Sequence, residues 1–109
     1  MTKSCALLIT AMLSSIIFGA SSDGDDSTEA ARIYGETCII CHGEGVGGAP
    51  RLGVKSDWAP RLSYGMEELY LNAIEGVGST MPARGMCLEC SDAQLRAVVD
   101  HMVGNLKDE

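Results

Sequence analysis

The chain has 109 residues, 15 acidic and 8 basic, for a formal net charge of −7. That balance excludes a phosphate-backbone partner, because nucleic-acid binding needs a basic face. One Trp, three Tyr and one Phe leave few large side chains for a core, so a flat apolar cofactor would supply mass that so small a domain lacks.

The chain opens Met1-Thr2-Lys3 and runs apolar from Cys5 to Ala20, interrupted by Thr10, Ser14 and Ser15. Small residues follow to Ser22, then the acidic stretch Asp23-Gly24-Asp25-Asp26. A basic start, apolar middle and small-x-small end are the layout of a secretory signal peptide, and Ala20 and Ser22 set cleavage before Asp23. The apolar run falls short of the ~20 residues that span a bilayer, which disfavours an uncleaved anchor and predicts no stable membrane insertion after cleavage. Cys5 leaves with the leader, as does Lys3, making the remainder more acidic. The expected division is a signal peptide over 1–22, a flexible acidic N-terminus over 23–29 and one domain over 30–109.

Asp26 and Glu29 have capping-box spacing. Ala30, Ile33, Tyr34 and Thr37 then share one helical face, which predicts a first helix from about Ser27 to Cys38. It runs into Cys38-Ile39-Ile40-Cys41-His42. This Cys-x-x-Cys-His spacing is the attachment pattern of c-type haem: two thiols can each add to a vinyl group of one porphyrin, and the next residue offers an imidazole to the iron. A thioredoxin-like pair would want a strand-helix-strand setting, which the pattern lacks. A zinc site would need Cys87 and Cys90, at a separation far longer than a compact ribbon uses, and would leave His42 idle. Covalent haem c is the expected cofactor.

Gly43 to Gly65 is dense in Gly and Pro and reads as loop, with at most one helical turn near Trp58. Gly43-Glu44-Gly45-Val46-Gly47-Gly48 matches G-x-G-x-x-G, but no apolar strand precedes it and Pro50 follows, so a dinucleotide site is rejected. Met66, Leu69, Tyr70, Ala73 and Ile74 make an amphipathic helix that stops at Gly76. Ser91 and Gln94 form a second capping box, and Leu95, Val98, Val99, Met102, Val103 and Leu106 line the face of a last helix ending at Gly104-Asn105.

An iron held by His42 needs a sixth ligand or has an open site. Met66 and Met102 lie on apolar helix faces, where methionine usually packs. Met81 lies in the loop Gly76-Val77-Gly78-Ser79-Thr80-Met81-Pro82, with Pro82 biasing it to an extended backbone, and is the expected ligand. Met86 is the runner-up, and His101 reads as a helical packing residue. Soft thioether ligation favours Fe(II) and closes the site to substrate, leaving one-electron exchange. Cys87 and Cys90 have no following His. In an oxidising compartment they can close a disulfide, with a redox-active dithiol as the other reading.

Taken together, Tyr34-x-x-x-Cys38-x-x-Cys41-His42, Gly48-Ala49-Pro50, Asp57-Trp58-x-x-Arg61, Met81-Pro82-x-x-Gly85 and the Cys87/Cys90 pair resemble a class I cytochrome c, specifically the bacterial cytochrome c-five type. The stretches cover nearly all of the chain from about Ala30 to Val103. The resemblance implies an all-α fold of three to four helices around one haem. It implies His42 and Met81 as axial ligands, a Pro50 carbonyl accepting from the outer nitrogen of His42, and Trp58 and Arg61 near a haem propionate. It also implies a crossing of the first and last helices, with Ala30 and Tyr34 at the contact. An aromatic is usual where His101 stands, which leaves that contact open and makes His101 a candidate pH-sensitive packing residue.

The function expected is a non-enzymatic, periplasmic one-electron carrier, docking on basic patches of redox partners. The alternatives are a haem subunit of a larger oxidoreductase and a gas-binding or catalytic haem protein with an open sixth site.

Overall fold

The computed structural model describes residues 23–106, with side chains from Asp26 onward. The expected signal peptide lies outside the described residues. Five α-helices follow in order: α1 (Asp23–Ile33), α2 (Ile39–His42), α3 (Lys55–Leu62), α4 (Met66–Glu75) and α5 (Asp92–Val103). Short 3₁₀ turns cover Val46–Gly48 and Ala83–Met86. No strand is formed among the described residues; a single antiparallel bridge pairs Val77 with Met81.

The chain is helical from Asp23, so the expected flexible lead over 23–29 is instead the opening of α1, and Asp26 lies inside the helix rather than at its cap. Asp26, Ser27 and Thr28 are exposed on this helix, and polar residues that read as a solvated lead suit the solvent face of a helix equally well.

The first helix does not run straight to Cys38. Residues Tyr34–Cys38 form a π-type turn, with the Ile39 N–H reaching back to the Tyr34 carbonyl. Such a turn absorbs one extra residue and sets everything after it back by roughly a quarter turn. His42 is twelve residues beyond Ala30 and would sit about 120° round a regular helix. With the setback, Ala30, Ile33, Tyr34, Cys38 and His42 all face inward and are all buried.

α5 carries Leu95, Val98, Val99 and Met102 into the core, and α4 contributes Leu69 and Ala73. The Ser91 capping box forms as expected: the Gln94 N–H donates to Ser91 Oγ at 3.1 Å and the Ser91 N–H to Gln94 Oε1 at 2.8 Å. The same Gln94 amide donates from Nε2 to Glu29 Oε1 at 2.7 Å, tying α5 to α1. At that crossing His101 takes the aromatic place, its ring 5.6 Å from that of Tyr34 at 56°.

The turn expected near Trp58 is the two-turn helix α3, with Pro60 inside it. Pro60 removes one backbone hydrogen bond. The segment is held from outside instead, by burial of Trp58 and by three hydrogen bonds from Arg51 to the Asp57 carboxylate.

Candidate functional site

The helices enclose a cavity of about 470 Å³. Cys38, Cys41 and His42 line it from the first helical segment, Pro50, Trp58 and Arg61 from the Gly/Pro-rich stretch and α3, and Met81 from the loop after α4. Leu69, Ala73, Leu95, Val98 and Met102 give it apolar walls.

His42 is 6 % exposed. Its Nδ1 lies 2.7 Å from the Pro50 carbonyl, and since a carbonyl only accepts, Nδ1 carries the hydrogen, so that in the neutral imidazole the lone pair is on Nε2. That Nε2 is the one buried side-chain nitrogen or oxygen among the described residues with no hydrogen-bond partner. Burying a polar atom unpaired costs free energy. A metal bound there would supply the missing partner, and the carbonyl would orient the ring and strengthen its donor atom.

Trp58 stacks on His42, with ring centroids 6.1 Å apart and planes 13° from parallel. Its indole N–H donates to the Arg51 carbonyl at 2.8 Å. Its ring lines the cavity. Arg61 stands at the exposed rim, where Nη1 donates to the Asp57 carbonyl at 2.7 Å and Nη2 to the Gly48 carbonyl at 3.3 Å. Its positive charge remains available to an anionic group there. Asp57 serves Arg51 instead, and those bonds hold its carboxyl down to about 2.

Cys38 and Cys41 are in no disulfide. Burial pushes the Cys38 thiol up, partly opposed by the Thr37 hydroxyl. Cys87 and Cys90 do not join them: their sulfurs lie at bonding distance from each other, with Cα atoms 5.4 Å apart. No cluster of three or more His, Cys, Asp or Glu suited to a metal ion occurs among the described residues. The Gly43–Gly48 run follows helix α2 rather than a strand, and Gly45, Gly47 and Gly48 take positive φ.

Met81 is held at both backbone groups by Val77, its carbonyl accepting at 2.9 Å and its N–H donating at 3.2 Å. Gly76 makes this closure possible. A Cβ there would lie 2.7 Å from the Met81 carbonyl oxygen and 2.8 Å from the Ala83 nitrogen. Met86 also borders the cavity and is 71 % exposed, whereas Met81 is half-buried. His101 is not among the lining residues. Arg51, Arg84 and the π-type turn escape a reading of the sequence. Arg51 works through its guanidinium and its main chain together, on partners that no residue type announces, and Arg84 occupies an unspecified position of the Met81-Pro82-x-x-Gly85 pattern.

Residues 25–102 match the family model described as Cytochrome C oxidase, cbb3-type, subunit III. The chain is 39% identical over 85 residues to a cytochrome c-555 of Chlorobaculum tepidum, covering 75% of this chain and 79% of that protein. It is 37% identical over 87 residues to a cytochrome c5 of Ectopseudomonas mendocina, covering 78% and 99%. Among solved structures, a chain of an electron transfer complex of nitrite reductase with cytochrome c superposes with a TM-score of 0.66 at 37% identity, over 72% of this chain and 95% of that one. The fold is the cytochrome c fold, and the cofactor is one covalent c-type haem. An apolar cavity with two thiols in no disulfide and an unpartnered imidazole nitrogen fits that group, and the chain belongs to the cytochrome c family that the model describes, with cytochromes c5 and c-555 as relatives.

Proposed function

We propose that the protein is a periplasmic one-electron carrier and not an enzyme, with Cys38 and Cys41 as the attachment thiols and His42 and Met81 as the axial ligands. The observation that carries this is His42 Nε2: buried, unpartnered, and on a ring whose other nitrogen is committed to Pro50. Haem supplies reversible one-electron chemistry at its iron. The chain's own residues fix the imidazole through Pro50, offer a thioether at Met81, exclude water with Leu95 and Val98, and set Arg61 at the rim toward an anionic edge. Filling both axial positions leaves no place for a substrate, so the chemistry that remains is electron exchange. Cys87 and Cys90 form a structural disulfide beside the Met81 loop, consistent with an oxidising compartment.

The partner is a redox protein with a basic docking patch, matched to the −7 formal charge of the chain. The nitrite reductase complex of the structural relative supports electron transfer to a reductase as the class of partnership. A second reading, a haem subunit of a larger oxidoreductase, is favoured by the match to the cbb3-type FixP subunit of Bradyrhizobium sp., 32% identical over 30% of that protein. Alignment along 99% of a cytochrome c5 supports the free carrier.

Absorption spectra of the oxidised and reduced protein, with haem staining after denaturation, test the core of this reading. Haem should survive denaturation, and a weak far-red sulfur-to-Fe(III) band should vanish in Met81→Ala. Loss of haem on denaturation defeats the attachment, and a band unchanged in Met81→Ala defeats the ligation. Size exclusion of the native extract separates free carrier from subunit.

A further inference from the structure

We propose that Arg84 is the positioning residue for Met81, strapping the ligand loop to the Cys87–Cys90 turn and to the start of α5. The proposal rests on Met81 being the axial ligand. On its N-terminal side Met81 is anchored by Val77. On its C-terminal side the chain must return past the cavity through Pro82–Met86, where Arg84, Gly85 and Met86 take φ of 59°, 57° and 69°. Glycine accepts that left-handed backbone, but arginine and methionine do so only where their surroundings hold them.

Arg84 itself supplies that hold. Its Nη1 donates to Asp92 Oδ1 at 2.9 Å and its Nη2 to the Cys90 carbonyl at 2.5 Å, while its own carbonyl accepts from the Cys87 N–H at 3.0 Å. The Arg84 side chain is 26% exposed and that of Asp92 66%, so it is the bond to the Cys90 carbonyl that is partly shielded from water. The consequence reaches the cavity through Gly85, where a Cβ would lie 3.7 Å from Cys38 Sγ and 3.9 Å from Met81 Cε. The turn that Arg84 clamps is therefore the turn that backs the Met81 methyl. A planar fork reaching two acceptors at once is a guanidinium's task, and a lysine ammonium cannot reproduce it.

The test compares haem-loaded wild type with Arg84→Lys, Arg84→Gln, Arg84→Gly, Asp92→Asn and Met81→Ala. The readouts are the far-red band through a denaturant titration, circular dichroism on the same samples, and carbon monoxide uptake by the reduced protein. Wild type should lose band and helicity together. In the Arg84 variants the band should go first, at denaturant concentrations where helicity is intact. Reduced Arg84 variants should take up carbon monoxide roughly ten-fold faster, as expected when charged hydrogen bonds holding the closed state are lost. Arg84→Gly relieves the left-handed backbone yet should behave as Gln does, which separates the guanidinium from the dihedral. Arg84→Lys keeps the charge and carries the test should Gln fail to fold, and Asp92→Asn should fall between Lys and wild type. Wild-type carbon monoxide rates in Lys and Gln, or band and helicity lost together in them, overturn the proposal. A band that persists in Met81→Ala overturns the ligation reading and this proposal with it, and is distinguishable because it needs no Arg84 variant.

Discussion

His42 commits Nδ1 to a carbonyl and leaves Nε2 with no partner among the described residues. That asymmetry follows from one proline carbonyl placed eight residues downstream, and it settles the tautomer before any metal arrives. Asp57 shows the same economy on the other side of Trp58. Its carboxyl is held down to about 2, first by the Arg51 side chain and then by the Arg51 backbone N–H. A carboxylate with a depressed folded value stabilises the fold above its ordinary value of 3.8 and loses that contribution as pH falls toward 2. Asp57→Asn should therefore unfold more easily than wild type at neutral pH, and the two stabilities should converge as the acid limb is descended. Denaturant midpoints measured at steps from pH 6 to pH 2 check this, and a gap independent of pH would contradict it. Cys38, Cys41, His42 and Met81 could be singled out by residue type and spacing, and they line one cavity. Arg51 could not be, because its guanidinium, N–H and carbonyl find their partners only once α3 has packed.

The π-type turn over Tyr34–Cys38 brings the two ends of one helical segment onto one face. Apolar periodicity through Thr37 predicts a regular helix, and only the need to bury both Ile33 and His42 discloses the extra residue. Gly35 is exposed, with nothing near the place of its Cβ. Deleting it should convert the π-type turn to a regular one, keep the inward face aligned and preserve haem attachment, judged by staining after denaturation. Inserting one alanine after Gly35 should abolish attachment by turning the motif away. At the end of α4, Gly76→Ala should push the Met81 loop outward, because the Cβ would meet backbone atoms at 2.7 and 2.8 Å. The far-red band should weaken in that variant while haem stays attached. Ser91→Ala removes a capping bond whose partner, Gln94, also reaches α1. The expected cost is about 1 kcal/mol in denaturant unfolding.

The molecule as a whole is a thin helical shell whose apolar residues serve the core and the cavity at once. Leu95 and Val98 are buried in the core and also line the cavity, so a core substitution here reaches the cofactor. Leu95→Ala should cost about 3 kcal/mol of stability and loosen the packing around haem, read as a lower denaturant midpoint for both helicity and the haem spectrum. The acidic surface sets the long-range behaviour. Association with a basic redox partner should slow as ionic strength rises from ~0.01 to ~0.1 M, over which the screening length falls from ~30 to ~10 Å. Stopped-flow rates that ignore salt would remove charge from the docking proposal.

The sequence by itself determined what is covalent and local: the spacing of Cys38, Cys41 and His42, the Gly76 stop and the Ser91 cap, because each rests on residue type over a few positions. The family could be read for the same reason, from an ordered set of short motifs. Tertiary structure alone decided where those motifs meet. It lengthened α1 back to Asp23, added the π-type turn, spent the Trp58 N–H on Arg51 and tied Arg84 to Cys90 and Asp92. These are contacts between backbone groups and charged forks, and no residue type or period announces them.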